Sequence, residues 1–307
     1  MARLNHTLFF VQGNPKFEYA DAAVLGVAFD ENASFGKGAA AAPDAIMKAS
    51  HQLDIEDPLT GETFQKAIHN FGIAKPKTVK EMVAGTEKLA KKALEKEKFF
   101  VLLGGDHSVV NGLLGAVAKD TTFVNFDAHL DLREEWQGEK ENKQSHAAVS
   151  RRIFDKGFKQ VWVGVRDRIN EEEMEFVSGQ GLAEKIFYYP STPVDCYKGK
   201  KFPKWMKRKN MLFKGLTNEK VEAVLSEIET EKVFLNIDVD CLDMRQGLET
   251  GVPSPFGLTL EELSQTIFEI CRKKKVIGLS IAELVPDNYN RGQTFAAMLC
   301  LNVLNWV

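Results

Sequence analysis

The stretch Thr122-Phe123-Val124-Asn125-Phe126-Asp127-Ala128-His129-Leu130-Asp131 is where the fold and the chemistry of this chain meet. Its first half is rich in the β-branched and aromatic residues of a buried strand. Its second half places three ionisable side chains at i, i+2 and i+4, where that strand ends. On extended backbone, residues two apart share a face. Two carboxylates and an imidazole converging on one point repel or go unsatisfied unless a cation lies between them. A strand that closes with Asp and His because a turn begins there is the other reading, and this stretch alone leaves both open.

Working outward, the same arrangement recurs. Ala22 to Phe29 reads as a strand ending at Asp30, and Phe99 to Leu103 runs into Gly104-Gly105-Asp106-His107. Val233 to Ile237 leads to Asp238-Val239-Asp240, and Val276 to Ile281 leads to Glu283. Gln160 to Val165 and Ile186 to Tyr189 are further short apolar strands. Helical spacing of apolar residues predicts helices over Asp44–Ser50, Thr78–Lys98, Ser108–Ala118, Ser145–Lys156, Asn170–Gly179, Thr217–Thr230, Thr259–Arg272 and Phe295–Leu304. Residues 51–72 read as polar and irregular, and 190–216 as the least regular part.

Near-continuously apolar strands alternating with helices imply a parallel sheet covered on both faces. The expected fold class is α/β, a three-layer α/β/α arrangement with a mostly parallel central sheet. No repeat or composition break marks a linker, so residues 1–307 read as a single domain. In such sheets, sites form beyond the carboxyl ends of the strands. The ionisable residues fall there repeatedly, which favours the metal reading over chance turns.

Composition excludes several classes. The chain is 44% hydrophobic and 27% charged with a net charge of −3, so no global charge draws it to nucleic acid or to an anionic membrane. The apolar run near the start, Leu8 to Val11, is shorter than a signal peptide needs, and no stretch reaches the length of a membrane span. A cytoplasmic protein is expected. Cys196, Cys241, Cys271 and Cys300 form no Cys-x-x-Cys pair, and the last three lie in or beside apolar runs that suit buried thiols. Lys198, Lys200, Lys201, Lys204, Lys207, Arg208 and Lys209 cluster beside Phe202 and Trp205. Cations with aromatics suit single-stranded nucleic acid, but in a slightly acidic chain the expected reading is a solvated loop.

Three strand ends together supply His107, Asp127, His129, Asp131, Asp238 and Asp240. This mixed oxygen and nitrogen set suits Mn²⁺ or a similar ion better than a thiolate-seeking one, and Co²⁺ and Ni²⁺ accept the same donors. Six ligands are too many for one catalytic ion that keeps an open position, and two ions sharing carboxylates fit the count.

These stretches resemble the signature motifs of the ureohydrolases: arginase, agmatinase, formiminoglutamase and their relatives. Phe29-Asp30 with Gly36 and Gly38 is similar to the family's first substrate loop, and Ser145-His146-Ala147 to its Ser-His motif. Thr250-Gly251-Val252-Pro253 with Gly257-Leu258-Thr259, and Ala282-Glu283-Leu284-Val285-Pro286, resemble its later elements. The resemblance covers nearly the whole chain.

The resemblance implies a binuclear manganese site. His107 and Asp131 would hold one ion and His129 and Asp240 the other, with Asp127 and Asp238 as bridges. His146 would relay protons, the alternative being a helix start capped by Ser145. Glu283 would face the substrate guanidinium, and Asp131 would help stabilise the tetrahedral carbon. Asp106 and Asp243 would orient ligands, a turn or cap being the alternative for each. Two divalent ions lower the pKa of a shared water to about 7, and urea plus a primary amine would be the products. The family also implies a homo-oligomer, trimeric or hexameric.

Substrate choice turns on Leu132 to Gln144, whose four glutamates suit a cationic tail better than a carboxylate. The Leu-Arg-Glu-Glu start and Ser-His-Ala end resemble agmatinase, so agmatine is expected first. A longer aminopropylated agmatine or another guanidino-amine comes second and arginine third, with guanidinobutyrate and formiminoglutamate as other family specificities. Two readings come from other classes. A one-zinc deacetylase of related fold conflicts with the six-ligand set, and a catalytically silent homologue would release no urea.

Overall fold

The computed structural model describes residues 14–137, 141–192, 194–202, 210–212 and 215–307. Eight strands form one sheet: β1 (Ala22–Val27), β2 (Ile68–Ala74), β3 (Phe99–Leu103), β4 (Thr121–Phe126), β5 (Lys159–Val165), β6 (Ile186–Tyr188), β7 (Lys232–Asp238) and β8 (Lys275–Ala282). Their spatial order is β2-β1-β3-β8-β7-β4-β5-β6. Every neighbouring pair is parallel.

Alternation along the strands builds two separate cores. Val24, Val101, Val124 and Leu235 face one side of the sheet, where Ile46 of α1 (Ala42–Ala49), Val224 of α5 (Asn218–Glu227) and Ile267 of α6 (Leu260–Lys273) cover them. Helix α7 (Arg291–Trp306) packs on the same face through Leu299 and Val303. Leu25, Phe100, Leu102 and Phe123 face the other side, against Met82 of α2 (Val79–Leu94) and Ile153 of α3 (Val149–Asp155). Both faces of the central strands are therefore dry, which is why their sequences are almost continuously apolar. A smaller cluster seats Val177 of α4 (Glu171–Gly179) on Trp162 and Ile186 near the β6 edge. The three-layer α/β/α expectation is met.

Local capping follows the sequence. Thr259 and Glu262 form a capping box at the start of α6, and Asn170 accepts the Glu173 amide at the start of α4.

Three expectations need correction. β2 lies at the sheet edge and begins inside the stretch read as irregular; only Ile68 in it is buried, and Gly72 is at φ 87°. A half-exposed edge strand lacks the continuous apolar run that marks the others. The helix expected from Ser108 is a 3₁₀ helix over His107–Leu113, and Gly112 there lies so close to α2 that a Cβ would come 2.4 Å from Thr86 Cβ. The helix expected from Ser145 is a 3₁₀ turn, His146–Ala148, before α3 begins at Val149.

After β3 the chain skips two places to form β4, and β7 and β8 later fill the gap. The four central strands β3, β8, β7 and β4 thus come from distant parts of the sequence, and they carry His107, Glu283, Asp238 and Asp127 at their carboxyl ends. Among the described residues, no helix is long and apolar enough to cross a membrane. Lys198, Lys200 and Lys201 are exposed, whereas 203–209 of the basic cluster and the early run Leu8 to Val11 lie outside the described residues. Cys241, Cys271 and Cys300 are buried free thiols, as expected, and Cys196 is exposed.

Candidate metal centre

Turn chemistry at the strand ends aims the side chains. Asp127 follows the last residue of β4, and its Oδ1 accepts the His129 amide at 2.6 Å. Asp238 ends β7, and its Oδ1 accepts the Asp240 amide at 2.9 Å as a 3₁₀ turn begins. The ligands at i and i+2 therefore converge through side-chain-braced turns, and not through the alternation of extended backbone expected from the sequence. At the β3 end, a Cβ on Gly105 would lie 1.9 Å from the Phe29 carbonyl oxygen. Only glycine lets this loop press against the chain just past β1 and set His107 in the centre.

Asp131 and Glu283 have φ values of 51° and 63°, a region that non-glycine residues seldom occupy. Each such residue costs about 1–3 kcal/mol and persists where its surroundings over-determine it. Both line one cavity of about 220 Å³, together with His129, His146, Asp238 and Asp240.

Two groups of donor atoms lie within this centre, and in each all the donors are within 4.8 Å of one another. One is His107, Asp127 and Asp238; the other is Asp127, His129 and Asp240. Nδ1 of His107 is 2.9 Å from Asp131 and 3.5 Å from both Asp127 and Asp238. Nδ1 of His129 is 2.9 Å from Asp240 and 3.6 Å from Asp127. All six expected ligands are thus brought together, with Asp127 common to both groups, Asp238 in the first and Asp131 beside His107. Oδ2 of Asp127 is buried and has no hydrogen-bond partner among the described residues. Buried carboxylate oxygens are almost always satisfied, so this oxygen, 3.5 Å from His107 Nδ1 while Oδ1 faces His129, is what a cation would fill.

The electrostatics agree. Burial, with the charges of Asp131 and Asp240, pushes the Asp127 carboxyl up to about 7. Burial and the neighbouring Asp240 and Asp127 likewise raise Asp238 well above the ordinary range. Burial opposes protonation of His107, but its contact with Asp131 and the nearby carboxylates outweigh it and hold the imidazole up to about 9. His129 is raised despite burial by Asp240, Asp127 and Asp167, and Asp240 is depressed despite burial by His129. Without cations, Asp127, Asp238, His107 and His129 hold their protons more tightly than usual, and metal ions would displace them.

The outer nitrogens of both imidazoles are held. Nε2 of His107 lies against the Asn236 amide, 3.2 Å from Oδ1 and 2.9 Å from Nδ2, and Ser280 Oγ donates to that Oδ1 at 2.7 Å. Nε2 of His129 is 3.0 Å from Asp167. A carboxylate behind an imidazole fixes its tautomer and orientation as a ligand.

His146 and Glu283 close the other side. Nδ1 of His146 meets Glu283 Oε1 at 3.1 Å, and the same oxygen accepts the His107 amide at 2.8 Å. Nε2 of His146 is 2.9 Å from Ser34 Oγ and accepts the Ser34 amide at 3.3 Å. Burial opposes protonation of His146, but the hydrogen bond and charge of Glu283 prevail and raise it. Ser145 does cap the turn, its Oγ accepting the Ala147 amide at 3.3 Å. The capping alternative is therefore met, and the capped His146 also lines the cavity.

Asp106 and Asp243 separate. Asp106 is buried and accepts the Asn32 amide at 2.9 Å and the Ser108 amide at 3.0 Å. Asn32 in turn donates to Ser108 Oγ and the Gln144 carbonyl. Asp106 thereby ties the Ser34 loop to the His146 loop. Asp243 accepts the Arg245 amide at 2.8 Å and pairs with the Arg245 guanidinium, which is a cap. Asp30 accepts the Gly38 amide at 2.8 Å and shapes its own loop.

Sequence reasoning passed over Ser34, Arg166, Asp167 and Asn236. A signal existed for Asp167, a carboxylate just past the strand at Gln160 to Val165. Of the glutamate-rich loop Leu132 to Gln144, Arg133 lines the cavity, and residues 138–140 lie outside the described residues.

Comparison with known proteins agrees with this geometry. The sequence profile of the Arginase family matches residues 20–188 and 203–305. The chain is 28% identical to the N(1)-aminopropylagmatine ureohydrolase of Thermus thermophilus, over 97% of this chain and 94% of that one. It is also 28% identical to the agmatinase of Pyrococcus horikoshii, over 91% and 88%. The crystal structure of the agmatine ureohydrolase of Thermoplasma volcanium superposes with a TM-score of 0.76 at 25% identity, covering 95% of this chain and 91% of that one. With sheet, strand-end motifs and profile in agreement, this chain belongs to the arginase family and is one of its ureohydrolases.

Proposed function

We propose that this ureohydrolase cleaves a guanidino-amine, agmatine first, into urea and a primary amine. Its two divalent ions would be held by His107, Asp127, His129, Asp131, Asp238 and Asp240. The observation that carries the reading is Asp127, common to both donor groups and with one oxygen lacking a hydrogen bond, next to ligand candidates that line a cavity with Glu283 and His146. Bound divalent ions supply a water that is deprotonated near neutral pH, together with Lewis-acid polarisation. The oxygen and nitrogen donors suit Mn²⁺, with Co²⁺ and Ni²⁺ as substitutes.

The chain's own residues do the rest. Glu283 Oε1 is occupied by the His107 amide and His146, so Oε2 takes the guanidinium N–H groups and orients its carbon. Asp131, held at its unusual φ beside His107, faces the same point and stabilises charge as the carbon becomes tetrahedral. His146 accepts from the Ser34 amide at Nε2 and so donates from Nδ1 to Glu283. Its raised basicity lets it take a second proton and deliver it to the leaving amine.

A second reading, a longer aminopropylated guanidino-amine, is favoured by a recess of about 370 Å³ that shares Asp167 and Arg168 with the cavity. Tyr188, Tyr189 and Tyr197 line it, and aromatic faces attract ammonium groups. We also propose a cytoplasmic homo-oligomer, trimeric or hexameric, the oligomer being supported by the family resemblance.

The test is urea release by manganese-loaded protein at neutral pH, with agmatine, aminopropylagmatine and arginine compared. Agmatine or its longer relative is expected to be turned over well and arginine poorly. Preference for arginine overturns the substrate reading, and urea from none of them overturns the reaction.

A further inference from the structure

We infer that Arg166 is the positioning residue for one of the two metal positions, the one held by His129 and Asp240, and that it acts on Asp240 through the main chain. The inference rests on the two-ion reading above. Arg166 follows β5 and is only 5% exposed. Its Nη2 donates to the carbonyls of Asp240 at 2.6 Å, Ser254 at 3.0 Å and Leu242 at 3.2 Å. Nη1 reaches Cys241 at 3.2 Å and Gly164 at 3.4 Å, and Nε reaches Pro255 at 3.1 Å. All six acceptors are main-chain carbonyls. A buried cation satisfied only by carbonyls is costly to place, and the structure assigns it a task.

Five of those carbonyls belong to two segments, and the sixth, Gly164, is in β5 itself. Residues 240–242 form the turn that points Asp240 at His129, and 254–255 follow Val252, which lines the cavity. A planar fork of fixed geometry sets the distance between the two segments, as a single ammonium could not. The main chain of the same stretch supports the other ligand. The amides of Arg166 and Asp167 donate to Ala128 O at 2.9 and 3.1 Å, and the Asp167 carboxylate is 3.0 Å from His129 Nε2. His107, by contrast, is braced by Asn236 and Glu283. The two metal positions therefore rest on different supports.

Gly257 makes room for the fork. Its φ is 127°, and a Cβ there would lie 2.8 Å from both Arg166 Cζ and Cys241 O.

The experiment titrates Mn²⁺ into chelator-stripped protein, reading affinity and stoichiometry by calorimetry and electron paramagnetic resonance, with Tm measured alongside. Wild type takes up two ions. Arg166→Met is expected to keep one at wild-type affinity and to lose about tenfold or more at the other, the range seen when a ligand's support is removed. Arg166→Lys should weaken the same position less, and Gly257→Ala should weaken it by displacing the fork. Two ions bound at wild-type affinity by Arg166→Met, or equal weakening at both positions, overturns the inference. Should Arg166→Met not fold, equal weakening at both positions in Arg166→Lys and Gly257→Ala overturns it. Fewer than two ions in wild type refutes the two-ion reading, and the inference with it.

Discussion

His146 and Glu283 stand 137 residues apart in the sequence, yet Nδ1 of one meets Oε1 of the other at 3.1 Å, and the same Oε1 accepts the His107 amide. One carboxylate oxygen thus joins the proton-bearing side of the cavity to the loop that carries a metal-ligand candidate. In the proposed reaction its second oxygen takes the cationic substrate.

Glu283→Gln removes that charge while keeping the shape of the side chain. kcat/KM should fall by roughly a hundredfold or more, with KM raised and kcat lowered. Steady-state kinetics on the manganese-loaded variant check this, and near-normal values would remove Glu283 from the substrate site.

His146→Ala should lower kcat by about 10²- to 10⁴-fold, the usual worth of a positioned proton donor. Mn²⁺ uptake should stay at wild-type stoichiometry, because His146 contacts Glu283 and Ser34 and belongs to neither donor group. Loss of an ion in this variant would contradict that division of labour.

Stability of the metal-free protein should fall as pH rises from about 5 to 9. His107 is raised to about 9 in the folded chain, so its contribution is complete below its ordinary value near 6.5 and disappears as pH climbs through 9. Asp127, raised to about 7, acts in the same direction: the folded state binds its proton more tightly, and ionisation of the buried group destabilises. Asp240 is depressed, so its contribution is present above the ordinary carboxylate pKa and is lost only under stronger acid. Saturating Mn²⁺ should reverse the trend, because the ions displace those protons. Thermal melts across this range, with chelator and with Mn²⁺, check both halves, and a chelated Tm that rises with pH would refute the assignment.

Gly105→Ala should destabilise the fold by about 3 kcal/mol or more, since the added methyl would press on the Phe29 carbonyl in a loop also held by the Glu283 amide. Denaturant titration measures this; a change under 1 kcal/mol would mean that β1 and β3 move apart at no cost.

Much of this was legible in the chain because its causes are local. Phe99–Leu103 and Thr121–Phe126 are buried on both faces, so their apolar runs announce them. Residues that end such strands are candidates for a site wherever they ionise, which singled out His107, Asp127, Asp238 and Glu283. β2 escaped notice because an edge strand with a single buried residue carries no such pattern. Asp167, just past a strand, carried the same local signal and was passed over, whereas Arg166 escaped because a guanidinium among carbonyls has no short-range signature.

By itself, then, the sequence determined a parallel α/β sheet and the residues that stand at its strand ends, since hydrophobic period and turn chemistry act over a few residues. Tertiary structure alone decided that β3, β8, β7 and β4 lie side by side, because strand order depends on how distant segments bury one another's faces. From that order follow the shared position of Asp127, its oxygen without a hydrogen bond among the described residues, and the contact of His146 with Glu283.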